Sequence, residues 1–291
     1  MKLIFIHGRA QQGKDVLKLT QEWKDAWTNG LHEAKLSMPE NIKIEFPYYG
    51  DLLIDLIKEA EAPQIVGAAH RSGQMISESA KNEFYDEFLK EIAEKSPLTA
   101  EERIEFNEIK NATRGKEDSI LFHKLLKFLD KSSVASTLAI EAFTRDVFMY
   151  LSVAKIKKGV NEAVLKSFDN EPCVVVGHSL GSVVSYLVLK NNPNLNVKKF
   201  ITIGSPLGIS GIRKKVEPPI EMPKCIQNGW FNAFDSRDIV ALRPLNQEFF
   251  NVKPSIENKN DVNNHTTNRH GIEGYLNDPV IARKIYEALI M

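Results

Sequence analysis

The stretch Cys173-Val-Val-Val-Gly-His-Ser-Leu-Gly181 decides the fold class. It begins with a short apolar run rich in β-branched residues, which is typical of a buried strand. Helical spacing follows from about residue 180, so the sequence predicts a strand that passes through a tight turn into a helix. The turn matches the pattern G-x-S-x-G, whose small residues allow the strand and the helix to pack closely. We interpret Ser179 as a nucleophile at the carboxyl end of a sheet.

A serine nucleophile needs hydrogen-bond donors that stabilise the negative charge developing on the substrate oxygen. The backbone amide of Leu180 is one candidate, because it opens the predicted helix. The other candidate is the amide of Arg9, in the segment Ile6-His7-Gly8-Arg9 that ends the first predicted strand. Gly8 would allow this backbone to approach the substrate oxygen closely. The sequence thus predicts an oxyanion hole formed by Arg9 and Leu180.

The base that activates the serine has two candidates, because only His265 and His270 follow Ser179 in the chain. His270 lies just before the predicted terminal helix, in a loop that can present an imidazole to the serine. We therefore favour His270, with His265 as the alternative. His178, inside the turn, is expected to point away from the nucleophile and to pack structurally.

A carboxylate must orient this base, and two carboxylates follow the predicted strand over residues 230–234. They are Asp235 and Asp238, and both lie early enough in the chain to give the order serine, acid, histidine. The acid is accordingly expected to be one of these two residues.

The segment Gly8-Arg-Ala-Gln-Gln-Gly-Lys14 also matches G-x-x-x-x-G-K, the phosphate-binding loop of many nucleotide hydrolases. However, Asp15 stands where that motif has a Ser or Thr hydroxyl for Mg²⁺, and a carboxylate there would repel phosphate oxygens. Asp15 is better explained as a residue that caps the following helix. We therefore expect no nucleotide site here.

Strands and helices alternate at both ends of the chain, which predicts an α/β fold with a mostly parallel sheet flanked by helices. The predicted strands cover residues 2–7, 42–46, 173–176, 199–203 and 230–234, and the predicted helices cover 16–34, 142–168, 180–190 and 280–289. Residues 51–150 lack strand-like runs and show amphipathic helical spacing, with a capping box at 99–102 and a helix at 120–129. We predict a core of residues 1–50 and 151–291 and a helical insertion, or cap, over residues 51–150.

Composition excludes several classes of protein. Lys and Arg number 38, as do Asp and Glu, so the basic surface of a nucleic-acid-binding protein is not expected. The apolar run near the N-terminus is too short for a signal peptide, and no stretch approaches the roughly 20 apolar residues of a membrane span. The expected location is the cytoplasm. Cys173 and Cys225 are too far apart in sequence to indicate a metal or redox motif.

Taken together, these motifs resemble the lipase and esterase branch of the α/β-hydrolases. The residues that carry the resemblance are His7-Gly8, the turn around Ser179, Gly204-Ser-Pro-Leu-Gly208, Trp230-Phe-Asn232 leading to Asp238-Ile-Val240, and His270 followed by Tyr275-Leu276. The Asp-x-Val pattern of that family favours Asp238 over Asp235. The resemblance implies a triad of Ser179, Asp238 and His270, an acyl-enzyme intermediate, and neither a metal nor an organic cofactor.

The resemblance is incomplete in two ways. The opening antiparallel strands of larger hydrolases are missing, and the insertion follows the second strand, whereas many caps follow the helix after the nucleophile. The expected reaction is hydrolysis of a carboxylic ester, with a small-molecule or lipid acyl substrate. The alternatives are an amidase or acyltransferase with the same triad, and a binding protein without catalysis.

The helical insertion offers aromatic residues that either line an acyl pocket or pack in the core, namely Phe84, Tyr85, Phe88 and Phe122. Tyr48 and Tyr49 follow the second predicted strand, and a position near the site is a further hypothesis. Amphipathic helices can contact a lipid surface, but the mixed charges of these helices favour solvated faces.

Overall fold

The computed structural model describes residues 1–62, 77–95, 99–101, 104, 108 and 134–291. Within these residues the chain forms one six-stranded sheet in which all paired strands are parallel. The strands are β1 (Lys2–Ile6), β2 (Lys43–Glu45), β3 (Cys173–His178), β4 (Val197–Ile203), β5 (Trp230–Ala233) and β6 (Glu257–Lys259). The described helices are α1 (Val16–Glu33), α2 (Gly50–Glu61), α3 (Glu78–Lys95), α4 (Val134–Ser152), α5 (Ala154–Leu165), α6 (Leu180–Asn191), α7 (Ser210–Arg213), α8 (Ile272–Leu276) and α9 (Pro279–Ile290).

Both faces of the sheet are buried, which is why its central strands are continuously apolar. On one face, Leu3 and Phe5 of β1 pack with Trp23 and Trp27 of α1 and with α8 and α9. On the other face, Ile4 of β1 and the strand side chains that point to the same side pack against α2, α4, α5 and α6. The predicted α/β fold, with a parallel sheet flanked by helices, is confirmed at this level.

The strand order is β2-β1-β3-β4-β5-β6. The chain therefore leaves β1 toward one side of the sheet to form β2 and returns to the other side of β1 to form β3. Neighbouring parallel strands that connect in opposite directions leave a crevice at their carboxyl ends, and ligands bind in such crevices in open α/β sheets. Gly8 follows β1 and Ser179 follows β3, so both residues lie at this crevice.

The structure corrects several predicted boundaries. The helix predicted over residues 142–168 is two helices, because the backbone at Val153 is extended, with φ −103° and ψ 108°. β3 continues through Gly177 and His178, where the predicted strand ended at residue 176, and β4 begins at Val197. The short edge strand β6 was not predicted.

The predicted insertion over residues 51–150 is helical where it is described, in α2, α3 and α4. The helix predicted over 120–129, with Phe122, lies outside the described residues, as does Glu102 of the predicted capping box. Among the described helices, none is both long enough and apolar enough to cross a membrane.

Candidate active site

The turn between β3 and α6 holds Ser179 in a strained conformation. Its φ of 56° and ψ of −129° are unusual for a residue with a side chain. An added Cβ at Gly181 would overlap the carbonyl oxygens of Ile6 and His7, and one at Gly177 would lie 2.6 Å from Ser185 Oγ. The G-x-S-x-G pattern is therefore explained by close packing of the turn against the end of β1 and against α6.

Ser179 occupies the N-cap position of α6, but its side chain makes no capping hydrogen bond. Serine at this position normally caps the helix with its hydroxyl oxygen. Here the hydroxyl instead lies 2.8 Å from His270 Nε2. The hydroxyl oxygen of Ser179 therefore does not cap α6, and it pairs with the imidazole of His270 instead.

His270 connects Ser179 to a buried carboxylate. Its Nδ1 lies 2.6 Å from Asp238 Oδ2, and the Asp238 side chain is fully buried. Since the carboxylate accepts hydrogen bonds, Nδ1 carries the ring proton and Nε2 accepts the proton of the Ser179 hydroxyl. Of the predicted site residues, Ser179, His270 and Asp238 are thus brought together in one hydrogen-bonded chain.

Asp235 and His265, the alternative candidates for the acid and the base, do not take part in this hydrogen-bonded chain. Asp235 is also buried, but its carboxylate accepts hydrogen bonds from Arg237 and from the amide of Asn264. Burial acts to raise the pKa of Asp235, and the hydrogen bonds from Arg237 and Asn264 outweigh it and lower that pKa below its ordinary value. His265 is exposed. Asp235 therefore orders a loop, and neither residue bonds the serine.

His178 packs structurally, as predicted, and it does so against the loop that carries His270. Its Nε2 donates to the carbonyl oxygen of His270 at 2.9 Å, and the two rings lie 4.8 Å apart between centroids. Burial, together with the neighbouring His270, lowers the pKa of His178 well below its ordinary value, so its ring stays neutral. His178 thus holds the backbone of the loop that carries His270.

The segment after β1 lies directly against Ser179. An added Cβ at Gly8 would lie 2.8 Å from Ser179 Cβ and 3.3 Å from its hydroxyl oxygen, so only glycine fits. His7 Nδ1 donates to the Gly8 carbonyl at 2.7 Å, and Tyr49 donates its amide to His7 Nε2 at 3.1 Å. Because the carbonyl and the N–H of a trans peptide point in opposite directions, the Arg9 amide points away from the His7 ring.

Buried contacts fix this segment from behind. The ring of Tyr49 stacks on His7 with centroids 4.1 Å apart, and its hydroxyl donates to the His7 carbonyl. Burial lowers the pKa of His7 to about 4, so its ring stays neutral. Tyr48 contacts the same segment, since its ring centroid lies 5.4 Å from that of His7 and its hydroxyl donates to the Gln11 carbonyl at 2.6 Å.

The Arg9 side chain forms an ion pair that sequence reasoning missed. Its Nε donates to Asp146 Oδ2 at 2.7 Å, and Asp146, on α4, is fully buried. Arg145 bonds the other oxygen of the same carboxylate. The residues involved are 137 positions apart in sequence, so no local pattern signals the pair.

The phosphate-loop-like segment is occupied by carboxylates. Asp15 Oδ1 accepts from the amides of Leu17 and Lys18, at 2.8 and 3.1 Å, and caps α1 as predicted. The amide of Gly13 donates to Asp51 Oδ1 at 2.6 Å. The amides of Gly13, Leu17 and Lys18 therefore already donate to carboxylates rather than being open to a phosphate. In the described part of the chain, no group of three or more His, Cys, Asp or Glu residues is arranged to hold a metal ion.

The described aromatic residues of the insertion are buried against one another. Phe84 lies 5.4 Å from Phe148, and Phe88 lies 5.9 Å from Phe143, between ring centroids. Phe84 also contacts α7, since an added Cβ at Gly211 would lie 3.2 Å from its ring. These side chains form the packing between α3, α4 and α7.

A scan against models of known protein families finds no match to this chain, and a search of curated proteins finds no match either.

Proposed function

We propose that this protein is a serine hydrolase of the α/β-hydrolase fold that cleaves a carboxylic ester through an acyl-enzyme intermediate. The observation that carries the proposal is the hydrogen-bonded chain from Ser179 Oγ through His270 to Asp238 Oδ2, with distances of 2.8 and 2.6 Å. A nucleophile in contact with a base, which is itself oriented by a third group, is the arrangement that activates a serine hydroxyl.

In the proposed reaction, Ser179 Oγ attacks the acyl carbon and its proton moves to His270 Nε2. Asp238 stabilises the resulting imidazolium and keeps the ring oriented. His270 then donates the proton to the leaving alcohol, and the acyl group stays on Ser179. Water repeats the sequence with His270 as base, which releases the carboxylic acid and regenerates the serine.

The proposed oxyanion donors are the amides of Arg9 and Leu180. Leu180 opens α6, where unpaired amides and the helix dipole favour negative charge. The Arg9 amide follows Gly8, whose backbone packs against the nucleophile. Two amides that bond the same oxygen in a buried site would favour a tetrahedral oxyanion over the ground-state carbonyl.

The fold proposal has support of its own. A strained serine between a parallel strand and a helix, with the acid and then the histidine later in the chain, is the arrangement typical of α/β-hydrolases. The acid follows β5 and the histidine precedes α8, both at the carboxyl edge of the sheet. The substrate class proposed is a small-molecule or lipid acyl ester.

The test is hydrolysis of p-nitrophenyl esters of increasing acyl length by wild type, Ser179→Ala and Ser205→Ala. Ser205 is a matched control, because it is also buried near the turn and bonds Ser182. We expect turnover by wild type and Ser205→Ala, and a loss of about 10⁴-fold or more in Ser179→Ala. Equal turnover by folded Ser179→Ala would overturn the proposal. Products analysed with competing alcohol and amine acceptors would reveal an acyltransferase.

A further inference from the structure

The acid of the proposed triad has a second side-chain partner on the oxygen that bonds His270. Asp238 Oδ2 accepts from His270 Nδ1 and from the hydroxyl of Tyr275, both at 2.6 Å. Its other oxygen accepts from the amides of Val240 and Ala241, at 2.9 and 3.4 Å. The carboxylate is thus held by four donors, and Oδ2 divides its charge between the imidazole and the phenol.

Tyr275 is placed so that its hydroxyl proton is directed to Asp238. The side chain is fully buried, and the amide of Asp235 donates to its oxygen at 3.3 Å. Its ring packs over Gly204, where an added Cβ would lie 3.0 Å from Tyr275 and 3.2 Å from His270. With its oxygen already an acceptor for one amide, the hydroxyl donates to the carboxylate.

The hydroxyl keeps its proton. Burial, and next the adjacent Asp238 carboxylate, raise the pKa of Tyr275 well above its ordinary value. A phenol that stays neutral while it donates to a buried carboxylate acts as a fixed donor.

We propose that Tyr275 is a positioning residue that holds Asp238 in line with His270 and limits how strongly Asp238 attracts the imidazole proton. The inference rests on the proposed hydrolase function. Two donors on one oxygen fix the rotation of the carboxyl group, so the base keeps its orientation through both proton transfers. They also divide the negative charge that stabilises the imidazolium, because each hydrogen bond withdraws part of it.

The groups around His270 allow this effect to be isolated. His178 faces its ring from β3, Ser179 lies at Nε2, and Asp238 and Tyr275 lie on the side of Nδ1. On the same loop, the guanidinium of the neighbouring residue Arg269 lies 3.8 Å from Asp235 Oδ2. Replacing Tyr275 with Phe removes a single hydroxyl from this set and no charged group.

The experiment compares Tyr275→Phe with Tyr186→Phe. Tyr186 is a matched control, because it is fully buried and its hydroxyl also makes one donation and one acceptance, both with the Glu221 backbone at 3.2 Å. In Tyr275→Phe we expect kcat to fall about tenfold with KM within about twofold. The acidic limb of the pH profile of kcat/KM should move to higher pH, because the undivided charge on Asp238 favours the imidazolium. Tyr186→Phe should change neither quantity.

A second measurement needs no substrate. The proton between His270 Nδ1 and Asp238 gives a downfield NMR resonance, which we expect to move further downfield in Tyr275→Phe. Uniform 3-fluorotyrosine labelling strengthens phenol donation and should move the same resonance of the wild-type chain upfield. This second arm applies even if Tyr275→Phe does not fold.

The two proposals fail in different ways. A wild-type protein without ester turnover contradicts the hydrolase proposal. An active wild type whose Tyr275→Phe variant matches Tyr186→Phe in kcat and pH profile, or a resonance unmoved by fluorotyrosine, overturns the role of Tyr275.

Discussion

Two turns in the described part of the chain join a parallel strand to a helix and carry a motif associated with chemistry, but the polar groups around them are arranged differently. After β1, Asp15 caps α1 and Asp51 bonds the Gly13 amide, so carboxylates occupy the anion-binding positions. After β3, Ser179 stands at the N-cap of α6 without capping it, and its hydroxyl pairs with His270. In the second turn the side chain at the N-cap is thus not used to cap the helix, and its hydroxyl is the group to which we assign the nucleophilic role.

The largest effect should come from the acid that serves the second turn. We expect Asp238→Asn to lower ester turnover about 10⁴-fold, because an amide cannot hold His270 in the tautomer that accepts the serine proton. Asp235→Asn is the comparison, since this buried carboxylate bonds Arg237 and Asn264 instead. It should lower the free energy of unfolding and change turnover by less than about tenfold. Initial rates and denaturant unfolding of both variants check this, and equal rates would contradict it.

The second largest effect is expected on stability, when a glycine in each of the two turns is replaced by alanine. An added Cβ at Gly181 would overlap two backbone carbonyls of β1 and His7, whereas Gly13 has open space around it. We expect Gly181→Ala to lower the free energy of unfolding by about 3 kcal/mol or more. Gly13→Ala should cost only about 1 kcal/mol, from its positive φ of 69°. Urea unfolding measures both, and similar losses would show that the second turn is not tightly packed.

Each turn also follows a buried histidine, which predicts a dependence of stability on pH. The folded state lowers the pKa of His7 to about 4, while in the unfolded chain the imidazole takes up a proton near pH 6.5. Between these values the unfolded state binds more protons, so stability falls as the pH decreases. Between pH 7 and 4.5 we expect wild type to lose about 2 kcal/mol more than His7→Asn. His265→Asn, at an exposed position, should keep the wild-type slope, and parallel slopes for His7→Asn would refute the prediction.

The smallest effect is expected at the first turn. Asp15→Ala removes the cap of α1 and should cost about 1 kcal/mol of stability. Ester turnover should stay within about twofold of wild type, because within the residues that the structure describes the Asp15 side chain bonds only amides at the start of α1. Thermal unfolding and initial rates measure the two quantities. If Asp15→Ala lost activity without losing stability, the first turn would take part in the reaction, which would contradict this prediction.

The sequence predicted the α/β alternation because both faces of the central strands are buried and their apolar runs are continuous. It missed β6, whose residues Glu257, Asn258 and Lys259 carry no apolar alternation. It also missed the break at Val153, where neither Gly nor Pro marks the end of α4. Short polar edge strands and breaks imposed by tertiary packing leave no periodic signal.

For the candidate site, the strand–turn–helix pattern located Ser179, and the order of residues in the chain left two candidates each for the acid and the base. The position before the terminal helix favoured His270, and the Asp-x-Val pattern favoured Asp238, but only the folded structure shows that these two residues bond each other. The contacts of Tyr275 with Asp238 and of Arg9 with Asp146 join residues distant in the chain. Only the packed fold determines such pairs.

The most direct test of an activated Ser179 is treatment of purified wild type with a fluorophosphonate, followed by peptide mass spectrometry. We expect stoichiometric labelling at Ser179, with labelling lost in Ser179→Ala, strongly slowed in His270→Ala and retained in Ser205→Ala. Absence of labelling in folded wild type, or labelling at another serine, would contradict it.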